Sequence, residues 1–242
     1  MSLIDPAITV HHTASDIPEK IWKTYPRSWS KNLGEPLGGL FPLFAKAFPK
    51  TTVAIEQHWS RPVFQSTVYS CQEFSGGKIY CTQGDQTLFF NPNGGNEEFL
   101  VGDYYDDTHD MLPPRWRELY RWFNSFYIVE GREFRMDWIN SMHGFANRWR
   151  AEAYAQAIDA PKSTVKALEK FIDSTKHDIK CWLYTEAGDA LFLDEARKDH
   201  KVYHVNKGNI KDIAVLPNAE DKLDEYLAHY ILGGAPKDFS FR

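Results

Sequence analysis

The chain has 242 residues, a formal net charge of −5, and 43% hydrophobic against 25% charged residues. These proportions exclude a disordered, collagenous or coiled-coil chain and leave room for one large domain or two small ones with a sizeable core. The mild acidic balance argues against a general nucleic-acid binder, which would carry a basic face.

The opening residues, Met1-Ser2-Leu3-Ile4-Asp5-Pro6, offer no basic or apolar signal region, so a cytoplasmic chain is expected. Asp16-Ile17-Pro18-Glu19 has the spacing of a capping box with proline in the first turn, which predicts a short helix ended by Pro26. Leu37 to Phe48 is apolar enough for a second helix, weakened by Gly38, Gly39 and Pro42. From Val53 to Phe90 the pattern turns strand-like. Val63 to Tyr69, Ile79 to Cys81 and Thr87 to Phe90 are short β-branched and aromatic runs separated by Gly76-Gly77 and Gln83-Gly84-Asp85. Runs bounded in this way predict an antiparallel meander, closed by the turn residues Asn91-Pro92-Asn93-Gly94-Gly95.

An acidic stretch follows, Asp103-Tyr104-Tyr105-Asp106-Asp107-Thr108-His109-Asp110, and runs into Leu112-Pro113-Pro114-Arg115-Trp116-Arg117-Glu118-Leu119-Tyr120-Arg121-Trp122-Phe123-Asn124. Leu112, Trp116, Leu119, Tyr120 and Phe123 share one helical face, and both prolines sit where a helix start tolerates them. Phe134, Trp138, Met142, Phe145 and Trp149 repeat the spacing, predicting a helix over much of 133–158. Another is expected from about Pro161 to His177, with Asp159 as its cap and Val165, Leu168 and Ile172 inward. Cys181 to Tyr184, Ala190 to Leu193 and Val202 to Val205 read as three strands, punctuated by Gly188 and Lys207-Gly208-Asn209. Leu216-Pro217-Asn218 then opens a final helix with Leu223, Tyr226, Leu227, Tyr230 and Ile231 on one stripe, ended by Gly233-Gly234. Strand groups separated by helical blocks predict an α+β fold of antiparallel sheets and amphipathic helices. The chain divides in this reading into residues 1–105 and 106–242, or forms one continuous domain.

No catalytic motif stands in the sequence: no phosphate-binding glycine loop, no Gly-x-Ser-x-Gly elbow, no His-Glu-x-x-His helix and no Cys-x-x-Cys pair. The cysteines, Cys71, Cys81 and Cys181, are too few for a disulfide scaffold and fit a reducing compartment. Cys71 and Cys81 could face each other across neighbouring strands, the simpler reading being two half-buried thiols. No apolar run approaches the roughly 18 residues of a membrane span, so no membrane partner is expected.

The acidic stretch is the strongest candidate for a site. It reads as a solvated loop, as a docking surface, or as a hard-cation site, since carboxylate oxygens suit Mg²⁺ and Ca²⁺. In the docking reading Asp103, Asp106, Asp107 and Asp110 steer a basic partner while Tyr104 and Tyr105 supply rigid anchor area. In the cation reading Asp103, Asp106, Asp107 and His109 serve a metal-assisted hydrolase. The adjacent His11 and His12 would point apart in a strand, and His143 fits a structural role in a helix. Arg115, Arg117, Arg121, Arg132, Arg135, Arg148 and Arg150 make the middle of the chain locally basic, as wet helix faces or as partners for the acidic stretch.

The Leu112–Asn124 segment resembles the Leu-Pro and helix stretch of the SUKH superfamily. The order of Gly188-Asp189-Ala190-Leu191-Phe192-Leu193-Asp194, Val202-Tyr203-His204-Val205 and a terminal helix through Tyr226 and Leu227 is similar to the end of such domains. The resemblance covers about residues 110–232. It implies an α+β immunity protein that binds and occludes a cognate bacterial toxin without catalysis, cofactor or metal. Many such toxins are nucleases, and a basic one would suit an acidic partner.

Overall fold

A computed structural model describes residues 7–19, 32–68, 76–91, 112–122, 125–129, 159, 161–175, 179–185, 187–194 and 199–242. Helices accompany two antiparallel sheets, one of five strands and one of four, so the fold is α+β. The chain divides into two compact units: residues 1–102 with 118–135, and residues 103–117 with 136–242.

The first unit is built on β1 (Ala7–His11), β2 (Val63–Val68), β3 (Gly76–Gln83), β4 (Gln86–Asn91) and β5 (Ser125–Val129), paired in that order. Alternation puts Phe64, Ile79, Cys81, Leu88 and Phe90 on one face, and all five are buried. The meander read from the sequence is therefore present as β2, β3 and β4. Strands β1 and β5 extend it on either side. Ser125–Val129, which the division at residue 105 placed in the second lobe, pairs with β4 of the first sheet.

The apolar stretch from Leu37 is three short helices, α1 (Leu37–Leu40), α2 (Pro42–Ala47) and α3 (Pro49–His58). Pro42 and Pro49 each start a new helix because proline fits the first turn and breaks a preceding one. The expected single helix ending at Phe48 thus gives way to a segmented run, and residues 53–58, grouped with strands in the sequence reading, are helical. Thr52 shows how: its hydroxyl donates to the Phe48 carbonyl at 2.9 Å within the helix. Phe41, Phe44 and Phe48 are fully buried, and Phe41 lies 6.3 Å from Phe90 of the sheet. The capping-box geometry occurs one register earlier than expected. Thr13 N–H donates to the Asp16 carboxylate at 3.0 Å over the 3-10 turn Ala14–Asp16.

The second unit holds α4 (Pro114–Trp122) up to Arg117, then α5 (Lys162–Thr175), β6 (Ile179–Tyr184), β7 (Ala190–Asp194), β8 (Val202–Asn206), β9 (Asn209–Val215) and α6 (Ala219–Ile231). Leu168 and Ile172 of α5 pack on Ile179, Cys181, Ala190, Phe192 and Val205 from one face of the sheet. The stripe predicted for the last helix, Leu223, Tyr226, Leu227, Tyr230 and Ile231, is buried. Helix α5 starts at Lys162, so Asp159, with φ of 48°, stands outside the cap position. The expected helix over 133–158 lies outside the described residues. Strand β9 was not predicted. It returns from a tight turn in which Lys207 and Gly208 both have positive φ, the signature of a two-residue hairpin.

That hairpin meets another glycine turn. Gly208 N–H donates to the Gly188 carbonyl at 2.7 Å, and Gly188 itself has φ of +86°. A β-carbon on Gly188 would sit 2.9 Å from the Gly208 nitrogen, which is backbone and cannot swing aside. Gly188→Ala is therefore expected to cost at least about 1–2 kcal/mol from the left-handed conformation alone. Thermal unfolding of the variant checks it, and an unchanged melting temperature would contradict this close approach.

Candidate functional site

The residues singled out for partner or metal contact, Asp103, Tyr104, Tyr105, Asp106, Asp107, His109 and Asp110, lie outside the described residues. The description resumes at Leu112, so what can be built is the anchor to which the acidic stretch is joined. Leu112 and Trp116 are fully buried. Arg117 Nε donates to the Leu112 carbonyl at 3.2 Å, and Trp116 N–H to the Pro113 carbonyl at 2.9 Å, which closes the helix start. The Trp116 ring stacks on Trp182 with centroids 4.3 Å apart and planes at 22°. Trp182 is available because β6 is bulged there: Cys181 pairs with Phe192 and Leu183 with Leu191, leaving Trp182 as the extra residue. Bulges re-aim a side chain in this way.

Arg115 completes the anchor. Its backbone N–H donates to Glu220 Oε1 at 2.8 Å. Its guanidinium pairs with Asp221 and lies 3.8 Å from the Asp224 carboxylate. These acids occupy the start of α6, where negative charge is favoured by the helix dipole. The cation nearest in sequence to the acidic stretch is thus engaged by the terminal helix. Because Asp221 is 62% exposed, the ion pair is screened. Arg115→Met is expected to lose no more than about 1 kcal/mol at low salt. Urea unfolding at low and at 1 M salt tests this, and a loss independent of salt would contradict a largely electrostatic role.

A second cluster in this unit was not foreseen. His204 on β8 places Nε2 2.7 Å from Asp189 Oδ1, with both side chains almost fully buried. A carboxylate only accepts, so Nε2 carries the hydrogen. Lys207 N–H donates to the same oxygen at 3.2 Å, and Asp189 N–H donates to the Thr185 hydroxyl at 3.2 Å. Among the described residues His204 Nδ1 has no hydrogen-bond partner. Phe241 packs 5.2 Å from the imidazole and 5.1 Å from Tyr226, while Arg242 donates to the carbonyls of His204 and Asp212 at 2.7 and 2.8 Å. Arg242 also pairs with the Asp212 carboxylate, whose pKa is held low first by the Asn206 amide and then by Arg242. The arrangement braces β7, β8 and the last residues together. Its two partners are 15 positions apart and meet only through strand register, so no motif announces them.

In the first unit His11 is buried and engaged at both ring nitrogens, whereas His12 is exposed; the two point apart as expected in a strand. His143 and Cys71 lie outside the described residues, as do Arg132, Arg135, Arg148 and Arg150. Cys81 is fully buried instead of half-buried, and burial pushes its thiol pKa far up. Cys181 is buried as well. Among the described residues no three His, Cys, Asp or Glu side chains converge, and no helix is long and apolar enough to cross a membrane. No family model, no curated protein and no solved structure matches this chain.

Proposed function

We propose that the protein is a binding protein of the toxin-immunity kind, acting in the cytoplasm, whose acidic stretch docks on a basic toxin and occludes it. The observation that carries this reading is the engagement of Arg115 by Glu220, Asp221 and Asp224. With that cation committed to α6, it does not neutralise the carboxylates that precede it in sequence. The stretch is also joined directly to a buried anchor, Leu112 and Trp116. Charge that remains available, presented from a fixed base, suits steering and docking of a basic surface. Occlusion requires complementarity and a few anchors, which Tyr104 and Tyr105 would supply.

The test is affinity capture with the tagged protein from its host, followed by calorimetry of the purified partner against wild type and the Asp106→Lys, Asp107→Lys double variant. Affinity is expected to fall at least about tenfold at low salt, with an unchanged melting temperature. Equal affinity would remove this stretch from the interface. Co-expression should also relieve growth arrest caused by the partner. Divalent cations serve as the counter-test, because a metal site at Asp103, Asp106, Asp107 and His109 would raise the melting temperature by mass action. No shift with millimolar Mg²⁺, Ca²⁺ or Mn²⁺ is expected, and a saturable rise would favour the hydrolase instead.

A further inference from the structure

Ser66 and His11 stand 55 positions apart and meet on one face of the β1–β2 pair. Ser66 Oγ lies 2.9 Å from His11 Nε2, and His11 Nδ1 lies 2.9 Å from the Asp16 carbonyl oxygen. A carbonyl oxygen can only accept, so Nδ1 carries the hydrogen of the neutral ring. Nε2 is then a bare lone pair, and the hydrogen in its contact with Ser66 must be the hydroxyl's. The other acceptor within reach of that hydroxyl, the Thr9 carbonyl, is 3.5 Å away and loses to the shorter contact. The chain nucleophile, base, orienting oxygen is therefore laid out in the sense that activates a serine.

The surroundings also bear on a substrate. Opposite Ser66 on β3 is Gly77, followed in register by Gly76 opposite Thr67, so glycine sets no side chain beside the hydroxyl on that strand. His11 sits on β1, an end strand in the sheet order. Its ring packs 6.0 Å from Phe64, and the Asp16 carboxylate is turned away to Thr13 N–H. Neither the serine, the neutral imidazole nor the phenyl ring offers a cation for a phosphate, so an uncharged acyl group suits the site better.

We infer that Ser66 is a nucleophile activated by His11, with the Asp16 carbonyl as positioning group, and that it reacts with small uncharged carboxylic esters. Ser66 Oγ forms a bond to the acyl carbon as its proton passes to His11 Nε2 and the carbonyl π electrons move to oxygen. Collapse breaks the ester C–O bond, and the alcohol leaves with the proton from Nε2. Water then adds by the same route, its proton taken by Nε2 and returned to Ser66 Oγ as the carboxylic acid departs. The sum is ester plus water giving acid plus alcohol, with no other reactant. This site lies in the first unit and stands apart from the acidic stretch, so either reading survives failure of the other.

The experiment is fluorophosphonate labelling of the full chain, read by intact mass and peptide mapping, beside hydrolysis of p-nitrophenyl acetate. One adduct is expected, on Ser66, forming at least about 100-fold faster than any at the exposed Ser240, the scale of general-base assistance. Labelling should vanish in urea, fall by a similar factor in His11→Gln, and disappear with ester hydrolysis in Ser66→Ala. No adduct on native protein, or an equal rate in a folded His11→Gln, overturns the proposal. Should His11→Gln not fold, the comparison of native with urea-unfolded wild type decides alone, because an unactivated serine labels no faster when folded.

Discussion

Trp116→Ala is expected to cost the second unit about 3–5 kcal/mol, the range for truncating a buried tryptophan. Trp116 is 0% exposed, and its ring is stacked on Trp182, so truncation leaves a large void between α4 and the bulge of β6. The bulge cannot simply close over it, since Trp182 is the unpaired extra residue, flanked by Cys181 and Leu183 in regular register. Guanidinium unfolding followed by near-ultraviolet circular dichroism should show the midpoint falling for the signal of the stacked indoles. Trp116→Phe should recover part of the loss by refilling some of the volume. A loss below about 1 kcal/mol would mean that the site collapses freely, at odds with the bulge as a rigid platform. Under the proposed function, the same variant weakens partner binding by loosening the base of the acidic stretch.

Asp189 carries the second large effect. Asp189→Leu strips the acceptor from His204 Nε2–H and from Lys207 N–H, at about 1–3 kcal/mol for each orphaned donor. Asp189→Asn keeps an oxygen that accepts one hydrogen bond but abolishes the negative charge. The contrast separates hydrogen bonding from charge pairing. If Asn restores most of the stability lost in Leu, acceptance is what the site requires. If Asn is as damaging as Leu, the buried imidazole is held as an ion pair. Both variants are read by chemical unfolding over a range of pH. A neutral Leu variant would overturn the assignment of Asp189 and His204 as a brace.

How much of this was legible in the sequence differs from element to element. The meander β2–β4 could be read because alternation and glycine turns act locally, and helix α6 because its stripe repeats over thirteen residues. Helix α3 was obscured by Thr51, Thr52 and Val53, whose β-branching favours strands until burial against the first sheet overrides it. Strand β9 reads as polar, with Asn209, Lys211 and Asp212 among its seven residues, because it pairs on one side only. Strand β5 has its partner β4 more than thirty positions upstream, and no local signal reports such a pairing. The acidic stretch was plain as composition. The His204–Asp189 and Ser66–His11 contacts were not, since each depends on register between strands.

The order in which the two units are threaded has a consequence for how the protein is made. The chain leaves the first unit after residue 102, returns at 118, and departs again after 135. On the ribosome the first sheet cannot be completed until β5 has emerged, well after β4 has been synthesised. Until then β4 bares a row of unpaired amides and carbonyls, the kind of edge that invites pairing with a neighbouring nascent chain. A fragment ending near residue 105 would retain that edge permanently. Neither unit is therefore a cassette that can be cut out between two points, and a vector encoding the whole chain is the smallest that spares the first sheet an open side.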